Sequence, residues 1–460
     1  MVIDQLQSDF EKLQGEIRQG PVVPTVTPEE IRGYLAVRYD FGKTIPLEEV
    51  VSDVENMLRA WQVQMTHPRY LGLFNPNVTF ASVIADTLVA MYNPQLASWR
   101  TSPAANEIEK HTLGWLAAKF GLPPESSASF TSGGAEANLS AVIVALTHAF
   151  PEFGDGGIRS LSRQPTLYLT EETHHSFGKI AHITGLGRAA LRTVATDSDL
   201  RLNVEDLARQ VAEDRKNGLA PFLVIGTAGT TAVGAIDPLP EIAAFCRKEG
   251  LWFHADAAWG GAAILSPELR SHLAGIEEAD SITCDAHKWL SVPMGCGMFF
   301  CRHPASVAQA FRAGGFYMPA KTTEPVEDPY STSAQWSRRF IGLKLFMALA
   351  EQGEAGIVER IEHQAHVADV LRIELKAAGW RIVNKTPFPL VCFTRDELDI
   401  ANFLNALRGR QIAWMSEARL AGASVVRACI TNFKTSEKDI RWIVEEMNRL
   451  VAPARRTACT

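Results

Sequence analysis

The sequence predicts an α/β protein organised around one large, mainly parallel β-sheet with helices on both faces, and three observations carry that expectation. From residue 127 to residue 301, strand-like and helix-like segments alternate, which implies crossover connections between parallel strands. The chain has 460 residues, enough to bury a large core and divide into two or three lobes. Its 46% hydrophobic and 21% charged residues are those of an ordinary globular enzyme.

Ahead of the alternation, the first 65 residues read as helices joined by proline turns. Asp4–Arg18 is amphipathic and is broken by Pro21 and Pro24. Thr27-Pro28-Glu29-Glu30 is a capping box with proline at the first helical position. Leu47–Gln64 sets Leu47, Val50, Val51, Val54, Leu58 and Trp61 on one face. This arm has too little apolar surface to fold alone and is expected to pack on the body or on a second subunit. Residues 67–77 form a loop rich in aromatics and prolines, followed by helices at Phe80–Tyr92 and Ala104–Phe120.

The alternation then runs strand Ser127–Thr131, helix Ala135–Phe150, strand Thr166–Thr170, helix His175–Gly185 and strand Leu191–Ala195. It continues with helix Val204–Gly218, strand Phe222–Gly226, helix Leu239–Glu249, and strands Trp252–Ala255, Ser281–Cys284 and Cys296–Cys301. An irregular stretch, Gly314–Gln335, leads into a helical run from Ser337 to Ala378. The tail reads as a small α+β domain: strands Arg381–Val383 and Leu390–Phe393, helix Ile400–Arg408, strands Ile412–Met415 and Val425–Cys429, helix Glu437–Leu450. The expected boundaries are a helical arm over 1–66, a large domain over 67–345 and a small domain over 346–460.

A formal charge of −7 without a long basic run argues against nucleic acid as the partner. No apolar stretch approaches the length of a membrane span, and Met1-Val-Ile-Asp-Gln5 lacks the features of a signal peptide. The seven cysteines are odd in number and show no metal-type pairing. Together these readings predict a cytoplasmic protein in a reducing setting.

Ligands of such sheets sit at the carboxyl ends of the strands, and the chemistry-bearing motifs fall there. Ser129-Phe-Thr-Ser-Gly-Gly-Ala-Glu-Ala-Asn138 follows a strand and opens a helix. Gly133 and Gly134 permit a sharp turn, and the exposed amides of a helix N-terminus suit a phosphate; a bare strand–turn–helix is the plainer reading. Thr170-Glu-Glu-Thr-His-His-Ser-Phe177 sets two histidines at a helix start, able to cap, bind metal or stack, with no second cluster at metal-ligand spacing. Gly226-Thr-Ala-Gly-Thr-Thr231 adds small residues and hydroxyls at another strand end.

His254-Ala-Asp-Ala-Ala-Trp-Gly-Gly261 places Asp256 at the end of a buried strand. A carboxylate there either caps the next helix or needs a cationic partner, such as a protonated pyridine nitrogen. Ala257 and Ala258 leave room for a flat ring. Asp285-Ala-His-Lys-Trp289 stands at the end of a further strand. Lys288 there is a surface lysine, or else an amine that holds a carbonyl cofactor as an imine. A phosphate cradle, a stacking imidazole, a carboxylate for a ring nitrogen and an imine-forming lysine together describe pyridoxal 5′-phosphate (PLP).

On Asp285-Ala-His-Lys-Trp289 and His254-Ala-Asp-Ala-Ala258, the chain from His67 to the C-terminal helix resembles the PLP-dependent group II amino-acid decarboxylases. That family includes the aromatic-amino-acid, glutamate and cysteine-sulfinate enzymes. The resemblance implies a fold-type-I enzyme whose large domain binds PLP. It also implies a homodimer with active sites shared at the subunit interface and the N-terminal arm laid over the partner.

Residue by residue, the resemblance implies Lys288 as the cofactor-bearing lysine and Asp256 as the partner of the pyridine nitrogen. His174 would stack on the ring. Gly133, Gly134, Ala135 and His287 would hold the phosphate, with Asp285 in the same cofactor shell, Thr231 near the ring substituents and Ala258 beneath the ring. The implied reaction takes an L-amino acid to its amine and carbon dioxide, with His174 or Lys288 orienting and reprotonating the substrate.

Arg427 in Val426-Arg-Ala-Cys-Ile-Thr-Asn432 resembles an arginine that pairs with the substrate α-carboxylate, an ordinary strand arginine being the alternative. Gly72-Leu-Phe74 and Ala97 replace the polar or aromatic groups of relatives that take acidic side chains, so the expected substrate is apolar or aromatic, with Phe74 against it. The loop Phe316–Trp336 holds little apolar sequence and is expected to be a mobile lid. The resemblance implies a loop tyrosine that protonates Cα; counting back from Arg338-Arg339-Phe340 puts Pro329 in its place and Tyr330 one residue later, so Tyr330 is the expected donor or else the lid's anchor, with Tyr317 in reserve. A carbon–carbon lyase, an aldehyde-forming reaction or an aminotransferase on the same cofactor stays open, because fold alone does not fix reaction type.

Overall fold

The computed structural model describes residues 2–312, 326–420 and 422–451. The chain forms two compact units, Val78–His366 with Asn384–Leu390, and Met1–Asn77 with Val367–Val383 and Val391–Thr460.

The first unit is built on the expected sheet. Its strands are β1 (Ser127–Thr131), β2 (Pro165–Leu169), β3 (Leu191–Thr193), β4 (Ala220–Thr227), β5 (Trp252–Asp256), β6 (Ser281–Asp285) and β7 (Gly297–Cys301). They lie in the order β1-β7-β6-β5-β4-β2-β3. Neighbours from β6 to β3 pair in parallel, and β7 runs antiparallel to both β6 and β1. The link from Asp285 to Gly297 is too short for a crossover helix, so β7 has to run back along β6.

Helix Gly134–Ala149 covers one face. Its small residues Ala137, Ala141 and Ala145 are fully buried beside Leu167, Leu223, Ile225 and Phe299. Small side chains let the helix lie close to the strands, so its polar residues reach groups that protrude from β5.

Helix Pro103–Lys119 carries Glu109 into the same unit's interior. Glu109 accepts the Gly342 N–H at 2.8 Å and pairs with Arg338 at 2.7 Å, both side chains being 4% exposed. Burial raises the Glu109 pKa, and Arg338 opposes that shift. The helical run expected from Ser337 starts at Leu343, just after the amide that Glu109 holds, and breaks at Gly353, where φ is 64°.

The second unit holds a four-stranded sheet in the order β10-β11-β9-β8, with β8 (Arg381–Ile382), β9 (Leu390–Thr394), β10 (Ser416–Leu420) and β11 (Ala423–Cys429). Its core gathers Val391, Phe393, Val426, Ala428, Ile440, Ile443 and Met447. The strand expected at Ile412–Met415 is a correction. Ile412, Ala413 and Met415 are buried, but the strand is the next segment, Ser416–Leu420, which pairs antiparallel with β11 from Ser416↔Arg427 to Leu420↔Ala423. An apolar run signals burial; the alternation of Ser-Glu-Ala-Arg-Leu signals the half-exposed strand of a hairpin.

The capping box at Thr27 and Glu30 is formed. Helices Pro28–Arg38 and Leu47–Ala60 bury no residue fully, and Leu47, Val51, Val54 and Leu58 are exposed. Among the described residues no helix is long and apolar enough to cross a membrane, and no group of His, Cys, Asp and Glu could hold a metal ion.

The Glu109–Arg338 pair generates a stability prediction. Glu109→Ala leaves a guanidinium buried without its counter-ion and should lower unfolding free energy by about 3–5 kcal/mol, read from urea denaturation. A loss below about 1 kcal/mol would show that Arg338 finds another partner or reaches water.

Candidate active site

The site grows from two adjacent strand ends. In β5 and β6, His254 stands opposite Ser281 and Asp256 opposite Thr283, so both strands release the chain at one edge of the sheet. After β6 the backbone turns at once, the Lys288 N–H donating to Asp285 O at 3.3 Å. That turn folds the lysine back, and Lys288 Nζ lies 3.0 Å from Asp285 Oδ2, with side-chain exposures of 21% and 2%. The amine is open to an incoming molecule while its counter-ion is sealed.

His287 Nδ1 accepts the Cys296 N–H at 3.0 Å, which leaves the proton on Nε2. Burial holds this imidazole below its ordinary pKa, so it stays a neutral donor. It faces the β1–helix turn, where a Cβ on Gly133 would lie 3.2 Å from His287 Cε1. Gly134 is tighter: a Cβ there would come within 2.8 Å of Asp285 Oδ2 and 3.2 Å of Ala258 Cβ. Glycine at 134 therefore lets the first turn of helix Gly134–Ala149 open directly beside Ala258, Asp285 and His287. Ala135 is exposed in that turn. Helix-terminal amides beside an imidazole N–H form a cradle that fits a phosphate.

Asp256 is 4% exposed. Its Oδ1 accepts the Ala258 N–H at 3.2 Å, and its Oδ2 accepts Asn138 Nδ2 at 2.9 Å. Neutral donors thus hold the carboxylate, and among the described residues no salt bridge neutralises it. A carboxylate in that condition fits a cationic ring nitrogen. The Asp285 N–H donates to Ala258 O at 2.9 Å, which fixes the Asp256–Ala258 corner against β6.

His174 precedes helix Ser176–Ile183, and its Nδ1 accepts the Ser176 N–H at 3.2 Å, fixing the ring. Burial pushes its pKa down; Asp256 works against that shift and Lys288 with it, so the imidazole lies within the field of both groups. Behind Ala258 and Lys288, the indoles of Trp259 and Trp289 stack at 5.5 Å with Phe388 edge-on to both.

Gly133, Gly134, His174, Asp256, Ala258, Asp285, His287 and Lys288 therefore converge. Thr231 is exposed on the turn after β4, next to the buried Thr230. Tyr330 lies in a single turn, Pro329–Ser331, where its N–H donates to Ala97 O at 3.1 Å and its ring stacks on Trp336 at 4.9 Å. Tyr317 and the lid residues 316–325 fall outside the described residues. Phe74 and Arg427 meet in the second unit: the guanidinium lies 4.8 Å from the Phe74 ring centre and donates to Gly72 O at 2.7 Å. Asn138, the last residue of the Gly-Gly motif, went unread in the sequence, because only the position of its helix on β5 gives it a role.

Residues 40–395 match the family model described as the pyridoxal-dependent decarboxylase conserved domain. An aromatic-L-amino-acid decarboxylase of Bacillus atrophaeus is 28% identical over 94% of this chain and 91% of its own length. Tryptophan decarboxylase 2 of Oryza sativa subsp. japonica is 30% identical over 81% of this chain and 76% of its own length. Among solved structures, Oryza sativa TDC with PLP and tryptamine superposes with a TM-score of 0.89 at 25% identity, covering 98% of this chain and 97% of that one. The chain belongs to the pyridoxal-dependent decarboxylase family and is a PLP-dependent carboxy-lyase that takes carbon dioxide from an L-amino acid.

Proposed function

We propose that the cluster around Lys288 and Asp256 is the cofactor and catalytic site, and that the substrate carries an aromatic or apolar side chain. One observation carries the reading of the site: Lys288 Nζ stands 3.0 Å from Asp285 Oδ2 at the end of the strand beside the one that ends in Asp256. The aromatic preference is supported by the names of the Bacillus and rice relatives.

When bound, PLP supplies the electron sink for the pair left as carbon dioxide departs. Lys288 would hold it covalently, and Asp285, 3.0 Å from the Lys288 amine, would balance the free ammonium. The amides of Gly133, Gly134 and Ala135 and the Nε2–H of His287 hold the phosphate. Asp256 would pair with the protonated ring nitrogen, and Ala258 and Thr231 would complete the residues around the ring. His174 would stand beside the ring and, with Lys288, would help orient the substrate. Among the described residues six of the seven cysteines are found, all as buried free thiols, which supports a reducing compartment such as the cytoplasm.

Carbon dioxide release measured across aromatic, aliphatic and acidic L-amino acids tests the substrate reading, with the highest kcat/KM expected for an aromatic one. A preference for aspartate or glutamate would overturn it. For the lysine, borohydride reduction followed by peptide mass mapping should find the cofactor on Lys288, and Lys288→Ala should fold without turning over. Cofactor on Lys179 or Lys344 instead would sink the assignment.

Tyr330 is the proposed donor of the proton to Cα. Tyr330→Phe should cut amine formation about tenfold or more while carbon dioxide release continues with oxygen uptake and aldehyde. Unchanged amine yield would remove Tyr330 from the reaction.

The assembly is a homodimer in which a second copy covers the arm. Support comes from the arm's exposed apolar residues, Val37 at 89%, Phe41 at 93% and Leu47 at 76%. Deleting residues 1–64 should give inactive or aggregated protein in size-exclusion and activity measurements, whereas a fully active monomer would refute the dimer.

A further inference from the structure

We propose that Asp256 is oriented by a one-way chain of hydrogen bonds, Trp252–Ser281–His254–Asn138, and that Asn138 and His254 are positioning residues for the decarboxylation. The inference rests on the reading of Asp256 as the partner of the cofactor's ring nitrogen.

Strand periodicity builds the chain. Trp252, His254 and Asp256 alternate along β5 and share one face. Ser281 is directly opposite His254 on β6, and Asn138 comes down from helix Gly134–Ala149. The links are Trp252 Nε1 to Ser281 Oγ at 2.9 Å, Ser281 Oγ to His254 Nδ1 at 2.9 Å, His254 Nε2 to Asn138 Oδ1 at 3.0 Å, and Asn138 Nδ2 to Asp256 Oδ2 at 2.9 Å. Every member is buried, from Ser281 and His254 at 0% to Trp252 and Asp256 at 4%. Thr283 Oγ1 also approaches His254 Nε2, but at 3.5 Å it is too far to compete.

The two ends dictate the direction. An indole N–H can only donate, and an ionised carboxylate can only accept. Ser281 therefore accepts from Trp252 and passes its own proton toward His254 Nδ1. His254 must carry its single proton on Nε2, and Asn138 must turn its oxygen to His254 and its amide N–H₂ to Asp256. Burial keeps His254 neutral, with its pKa lowered to about 4. Aligned bonds of this kind polarise one another toward the acceptor end. The chain thus fixes the rotamer of Asp256 without spending its charge on a cation.

The test uses histidine-labelled protein and long-range ¹H–¹⁵N spectra of the full chain, with and without PLP. His254, identified by the resonance lost in His254→Gln, should be neutral at pH 7 with its proton on Nε2. A proton on Nδ1, or an imidazolium, overturns the chain in the unmutated protein, independently of any variant's folding. Asn138→Leu should lower kcat by about tenfold or more and leave KM within about twofold, while Asn138→Thr, which keeps a donor and an acceptor, should recover most of the rate. Wild-type kcat in a folded Asn138→Leu overturns the positioning role. Ser281→Ala, which breaks the chain further from Asp256, should shift the His254 resonances; unmoved resonances also count against it. Asp256→Asn separates the two claims: undiminished turnover there defeats the ring-nitrogen reading, whereas the His254 tautomer judges the chain alone.

Discussion

The structure of the site depends on how two carboxylates are held inside the sheet. Removing a charge from water costs several kcal/mol even after a protein relaxes around it, of the order described for buried ions generally. Asp256 and Asp285 stand at neighbouring strand ends, and the chain treats them differently. Asp285 is matched internally by Lys288 at 3.0 Å. Among the described residues, Asp256 has neutral donors, the Ala258 amide and the Asn138 side chain. One carboxylate is balanced by a cation within the chain, and the other is held by neutral groups. Gly134, where a Cβ would come within 2.8 Å of Asp285 Oδ2, and the short β6–β7 link, which sets the Lys288 turn, both serve that division.

Much of this was legible because the signals are local. A strand followed by a polar residue and a turn places a side chain at a sheet edge, and Asp256 and Lys288 were found that way. Strand Ser127–Thr131 and helix Leu239–Glu249 agree with the sequence at both ends. Asn138 was not legible. Its motif was read as a phosphate turn, and nothing within the motif tells which helix face lands on β5. His254 stood in plain view two residues before Asp256, yet its role depends on Ser281 across the strand pair and on Asn138 more than a hundred residues upstream. Long-range contacts of that sort have no signature in a short window.

The error at Ile412–Met415 has the same origin in reverse. Its apolar residues are buried, as expected, but burial is achieved without ladder pairing, and the polar alternation at Ser416–Leu420 makes the strand. The composition of the segment around Tyr330 suggested only a lid. What holds the described part of that segment is an aromatic stack on Trp336 and hydrogen bonds such as Ser333 Oγ to Pro329 O at 2.9 Å, which composition cannot express.

Buried polar groups are poor sources of stability, since apolar residues of equal volume often do as well or better. Two of the first unit's buried polar systems, among the described residues, differ in kind. Glu109 and Arg338 are opposite charges that balance one another, and Glu109 also holds the Gly342 amide. The chain from Trp252 to Asp256 is not self-contained, because it is neutral over four residues and ends on an anion. A lysine or arginine in place of Asn138 would balance that anion and remove its attraction for a ring nitrogen. An apolar residue there would leave Asp256 Oδ2 without its donor, the Ala258 N–H staying on Oδ1. An amide whose two ends are fixed in opposite senses avoids both outcomes and orients the carboxylate without neutralising it.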